Sequence, residues 1–163
     1  MEDYDKYKRI KTFFSEPVVF ESEYIEKMKE CKISCGVHIR RGELKNGNLA
    51  YGKPASSQYC INAINKINDM YSSVKFFFCS DENGYVKNEI IPKCYGINFE
   101  CVENNGSDKE YLDLLLFSMC NFQISSIGSC GKFAALVTDK TPRGLVIMDN
   151  QSQYGVIDTM AML

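Results

Sequence analysis

Apolar and polar positions along this chain follow two different periods, and the alternation between them outlines the fold. Ile33 to Ile39 is an apolar run of strand length, as is Val74 to Cys79, with Ile97 to Val102, Phe122 to Ser126 and Gly144 to Met148 as further short runs. Between them, residues recur at helical spacing. Tyr24, Ile25, Met28 and Cys31 predict a helix within Glu21 to Lys32, and Cys60, Ala63, Ile64, Ile67, Met70 and Tyr71 form one stripe behind a capping Ser56 or Ser57. A short helix is expected from about Gly84 to Ile91, ended by Pro92. Leu112, Leu115, Leu116 and Met119 mark the inward face of a helix over Lys109 to Cys120, with Asp113 off that stripe, and Ser129 to Thr138 predicts one more.

Strands separated by helices call for a parallel sheet with right-handed crossovers. The expected fold is therefore α/β, a Rossmann-like parallel sheet of about five strands with helices on both faces. Residues 1–32 read as a lead-in segment with one helix, 33–150 as the sheet domain and 151–163 as a polar C-terminal tail. A chain of 163 residues with 45% hydrophobic content suffices for one buried core but not for two ordinary domains.

Charge narrows the function classes. With 19 Lys plus Arg against 21 Asp plus Glu and no basic stripe interleaved with aromatics, nucleic-acid binding is disfavoured. No apolar run approaches a membrane span, and Met1-Glu2-Asp3 lacks the start of a signal peptide, so a cytoplasmic location is expected. The eight cysteines include no CxxC pair, and a single histidine leaves no Cys/His ligand set. They read as reduced core residues, with Cys130 the exception left open, and no metal site is expected.

In a parallel sheet the ligand sits beyond the carboxyl ends of the strands, near a switch in strand order. Four polar clusters fall there: His38, Arg40 and Arg41; Ser80, Asp81 and Glu82; Glu103 to Asp108; and Ser125 to Gly131. Two adjacent arginines at a strand end can aim planar, permanently charged forks at a diphosphate without a metal ion, or they can be solvated surface with His38 a core histidine. Gly128-Ser129-Cys130-Gly131-Lys132 opens a helix whose free amides suit an anion, although it fails the P-loop pattern because Phe133 stands at the magnesium-binding position. A simple glycine-rich N-cap explains it equally well. Asp113 and Asp81 are either solvated acids or carboxylates that accept protons from a base edge such as that of guanine. No GxGxxG opens the sheet, which argues against a dinucleotide cofactor.

Val37-His38-Ile39-Arg40-Arg41-Gly42-Glu43 resembles the His-x-Arg-Arg-Gly-Asp motif of the alpha-1,2-fucosyltransferases, relatives of the alpha-1,6 and protein O-fucosyltransferases. Phe76 to Glu82 is similar to their apolar strand ending in Ser-Asp-Asp, and Asp113 to Cys120 to their Asp-Leu-x-Leu-Met-Ser-x-Cys helix. Ser125 to Val137 aligns without gaps on the following Asn-Ser-Ser-Phe-Ser-Trp-Trp-Ala-Ala segment, with Ser129, Ala134 and Ala135 retained and Lys132-Phe133 in place of the Trp pair.

The resemblance implies the donor half of a two-domain GT-B enzyme that binds GDP-fucose without a metal and transfers fucose to a glycan hydroxyl with inversion. Arg40 would grip the β-phosphate and stabilise the departing GDP, with Arg41 supporting the motif. His38 and Asp113 would meet the nucleotide, Asp113 at the guanine, while Asp81 would line the base or ribose pocket and Ser129 the phosphates. Glu43 would be either the base for the acceptor hydroxyl or a carboxylate orienting the arginines. Only 37 residues precede His38, so an acceptor-side domain is expected to be missing, supplied by a separate partner or a second copy. Two other readings stand beside this one: a non-catalytic nucleotide-sugar-binding module or partner subunit, and an unrelated flavodoxin-like interaction domain.

Overall fold

The computed structural model describes residues 23–42, 54–103, 110–125, 130–147 and 159–162. Two expected site residues, Glu43 and Ser129, lie outside the described residues. The chain builds helix α1 (Glu23–Lys29), strand β1 (Ile33–Ile39), α2 (Ser57–Met70), β2 (Val74–Ser80), a helical segment over 83–93, β3 (Asn98–Cys101), α3 (Glu110–Ser118), β4 (Phe122–Ser125), α4 (Cys130–Val137), β5 (Gly144–Ile147) and β6 (Thr159–Met162).

The strands form one sheet in the order β3-β2-β1-β4-β5-β6. The first five are parallel, as the alternation of periods required, while β6 runs antiparallel to β5, with Met160 opposite Val146. That sixth strand comes from the segment expected to be a polar tail. Its four residues, Thr-Met-Ala-Met, are too short a run to register as a strand, and pairing with the β5 edge supplies the order that local pattern lacks.

Both faces of the sheet are covered, which explains why β1 is almost continuously apolar instead of alternating. Cys35, Val37 and Ile39 pack on one face with Tyr59, Ile64 and Ile67 of α2 and with Val86 and Ile90. On the other face, Phe77 and Cys79 of β2 pack with Met28 of α1, Leu116 and Phe117 of α3 and Ala134 of α4. Helix α1 is thus part of the core rather than a mere lead-in. Its Tyr24 hydroxyl accepts the Glu103 amide at 3.0 Å, and Lys27 reaches Glu100 of β3 at 2.8 Å.

Local signals locate the helices well. Ser56 supplies the N-cap of α2, its hydroxyl accepting the Tyr59 amide at 3.1 Å. The 83–93 segment differs from a single helix: one turn over Asn83–Tyr85 widens to π geometry at Val86–Ile90 and tightens to a 3-10 turn at Ile91–Lys93. Pro92 sits within the first turn of that last piece, where a missing amide costs nothing, so the chain continues helically past it. In α3 the inward face is Leu112, Leu116 and Phe117, with Leu115 and Met119 partly exposed. The thiols described are free, and burial pushes Cys60 and Cys120 up to about 12, in keeping with inert core residues.

Phe117 turns inward because Gly36 leaves room for it. A Cβ at Gly36 would lie 3.1 Å from the Phe117 ring, closer than ordinary packing allows. The ring's edge in turn meets His38, with centroids 5.6 Å apart at 83°. Gly36→Val is expected to destabilise the fold by about 1 to 3 kcal/mol through overpacking, measured as a lower urea midpoint at unchanged slope. Adding Phe117→Leu should recover part of that loss.

Candidate functional site

The order of the strands creates the site. From β1 the chain steps outward to β2 and β3, then returns to place β4 on the opposite flank of β1. The strand order thus reverses at β1, between β2 on one flank and β4 on the other, and open parallel sheets take ligands beyond the carboxyl ends of the strands at such a reversal. His38 lies there in register with Cys79 of β2 and Ser125 of β4, and Arg40 and Arg41 follow at the end of β1.

The turn after β1 is held by the residues after β2. The Ser80 hydroxyl donates to the Ile39 carbonyl at 2.8 Å and accepts the Glu82 amide at 3.0 Å. Asp81 accepts the backbone N–H of Arg41 at 3.0 Å and that of Gly42 at 2.8 Å, a pair of charge-assisted bonds. A Cβ on Gly42 would come within 2.9 Å of the Asp81 Oδ2, so any other residue there would make the carboxylate shift. Where a contact with a ligand's base or ribose was expected of Asp81, the observed partners are these two amides.

Arg41 is held from the same side. Its Nε donates to Glu82 Oε2 at 3.4 Å, and its guanidinium carbon lies 3.6 Å from the centre of the Tyr85 ring. Its side chain is only 18% exposed. Arg40 is partly exposed at the head of the turn. The two arginines are thus not equivalent.

Helix α3 follows β3, so its first turn lies at the carboxyl end of the sheet. Asp113 sits there one turn ahead of Phe117, partly buried, and its charge helps hold the neighbouring Cys79 thiol well above the usual range, after burial as the main cause. Asp113, off the apolar stripe in sequence, is therefore partly buried and near Cys79 of β2. The structure brings together His38, Arg40, Arg41, Asp81 and Asp113 at one end of the sheet. Helix α4, opening at Cys130 shortly after β4, starts at that end as well.

Two aromatic residues of this end went unrecognised in the sequence. Tyr85 has no signal beyond its place three residues after Glu82. Tyr59 had one: it stands one turn before Ala63 on the α2 stripe, and a phenol there needs a partner. Its hydroxyl donates to the Ser125 carbonyl at 2.9 Å and lies 3.3 Å from that of Val146, tying α2 to the ends of β4 and β5. Among the described residues no three His, Cys, Asp or Glu side chains are grouped to hold a metal ion, and no described helix is long and apolar enough to cross a membrane.

Several solved structures share this fold. The alpha-1,6-fucosyltransferase NodZ, co-crystallised with GDP, superposes at a TM-score of 0.56 and 18% identity over 88% of this chain and 47% of its own. The selenomethionine form of NodZ from Bradyrhizobium gives 0.53 at 17% identity, over 88% of this chain and 48% of that one. POFUT1 in complex with GDP-fucose gives 0.51 at 15% identity, over 78% and 46%. The chain thus spans about half the length of the solved proteins it matches. No curated protein matches it significantly by sequence. The sequence model of one family, however, covers residues 21–155, from just before α1 to beyond β5. With the fold of fucosyltransferases and a family match over most of its length, the chain belongs to glycosyl transferase family 11.

Proposed function

We propose that this chain is the donor-binding half of a fucosyltransferase, which holds GDP-fucose beyond the carboxyl ends of β1 and β4 and, in the whole protein, passes fucose to a glycan hydroxyl with inversion. The observation that carries this reading is the position of the Arg40-Arg41 turn, fixed by Asp81, at the reversal of strand order. Two structural relatives, one solved with GDP and one with GDP-fucose, point to the same ligand.

In this reading Arg40 engages the β-phosphate and offsets the negative charge that develops on GDP as the glycosidic bond breaks. The amides that open α4, with Ser129 just ahead of them, face the same diphosphate. His38 and Asp113 meet the nucleoside, and Asp113 accepts the N–H groups of the guanine edge. Asp81 acts by fixing the turn that carries the arginines. Glu43, directly after that turn, is the candidate to deprotonate the acceptor or to orient Arg40. Cationic side chains and helix amides take the place of a metal on the diphosphate.

The coverage of about half of each solved relative favours a second reading, a nucleotide-sugar-binding module that transfers nothing by itself. A radiolabelled transfer assay on the purified chain separates the two.

Calorimetry is expected to show GDP and GDP-fucose binding that EDTA leaves unchanged and that UDP-glucose does not match. Affinity that appears only with added magnesium would overturn the metal-free site. Arg40→Ala is expected to weaken GDP binding by about 1.5 to 3 kcal/mol, the scale of a hydrogen bond to a charged group. Asp113→Ala should act differently, narrowing the gap between GDP and UDP; an undiminished preference for GDP would remove Asp113 from base recognition.

A further inference from the structure

The Arg41 side chain is engaged on two sides by residues that the family motif does not assign. Tyr85 presents its ring to the guanidinium face at 3.6 Å, and Glu82 accepts from Nε at 3.4 Å. Both come from the turn that leaves β2, and Glu82 is itself tied to β1 through the Ser80 hydroxyl, which accepts its amide and donates to Ile39. Next to them Asp81 holds the amides of Arg41 and Gly42. Side chain and backbone of one residue are therefore fastened to the same short segment.

Such an arrangement removes rotamer freedom from a long, flexible side chain. It also sets a sign. A guanidinium whose charge is balanced by Glu82 and whose face is covered by Tyr85 contributes less to an incoming diphosphate than an open one does. The neighbouring Arg40 inherits the fixed backbone. The π-helical stretch that follows, Val86–Ile90, buries both of its ends in the core and so roots Tyr85.

Resting on the donor-site reading above, we infer that Glu82 and Tyr85 are positioning residues, which lock the Arg41 guanidinium to the end of β2 and so hold the turn that presents Arg40 to the diphosphate of a nucleotide sugar. Arg41 is then a strut and not a phosphate ligand. Simple electrostatics predicts the opposite result for one substitution: removing the negative charge of Glu82 beside the arginine pair should tighten an anion if charge is all that matters.

The test uses the 163-residue chain with GDP as the probe, together with amide hydrogen exchange at Arg41 and Gly42. Glu82→Gln and Tyr85→Leu are expected to weaken GDP binding roughly 3- to 30-fold and to speed exchange of both amides, whereas Tyr85→Phe, which keeps the ring, stays within about twofold of the parent. Melting temperatures within a few degrees of the parent separate this from loss of fold. Binding by Glu82→Gln as tight as the parent or tighter would overturn the inference, as would equal losses in Tyr85→Phe and Tyr85→Leu. If the parent chain binds no GDP, the donor-site reading fails by itself. Exchange in the variants then decides whether the lock exists: faster exchange with an unchanged melting temperature supports it, and unaltered exchange refutes it.

Discussion

The carboxylate of Asp81 is the constraint on which the arrangement of the site depends. One side chain at the end of β2 accepts two backbone amides from the turn after β1, and that pair of bonds determines where Arg40 and Arg41 leave the sheet. An exposed ion pair between side chains would be worth little, because water and entropy compete with it. Bonds to the backbone are different, since they fix the path of the main chain itself. Gly42 completes the clip by leaving the space that any Cβ would take from the Asp81 oxygen.

Under this clip the sheet supplies rigidity. β1 is central, flanked by β2 and β4, with apolar cores on both faces, so the strand ends bearing His38 and Ser80 cannot shift independently. The contact of Phe117 with Gly36 seats α3 on that strand, and with it Asp113 at the carboxyl end. Tyr59 does the equivalent on the far side by bridging α2 to the ends of β4 and β5. Helices α3 and α2 are thus each attached to the strands they cover.

The second arginine of the motif takes its surroundings from the segment that follows β2. Arg41 is directed to the β2 side, where an aromatic ring and a carboxylate await it. One member of a dipeptide that looks symmetric in sequence is thus held by side chains some forty residues away.

Much of this was legible in the residues alone. The five parallel strands, the helices between them and the His38-Arg40-Arg41 cluster at a strand end all follow from hydrophobic period and from where polar residues interrupt it, because burial of a strand or helix face imposes its period locally. The inward turn of Phe117, the bonds from the Arg41 and Gly42 amides to Asp81, and the pairing of β6 were not legible. Each depends on a partner distant in sequence: Gly36 for Phe117, Arg41 and Gly42 for Asp81, and β5 for β6. The sequence by itself determined the five parallel strands, the helices between them and the end of the sheet where polar residues gather. Only the tertiary structure decided which partner each polar group takes, since hydrogen bonds and ring contacts are settled by geometry within a few ångströms and leave no periodic trace along the chain.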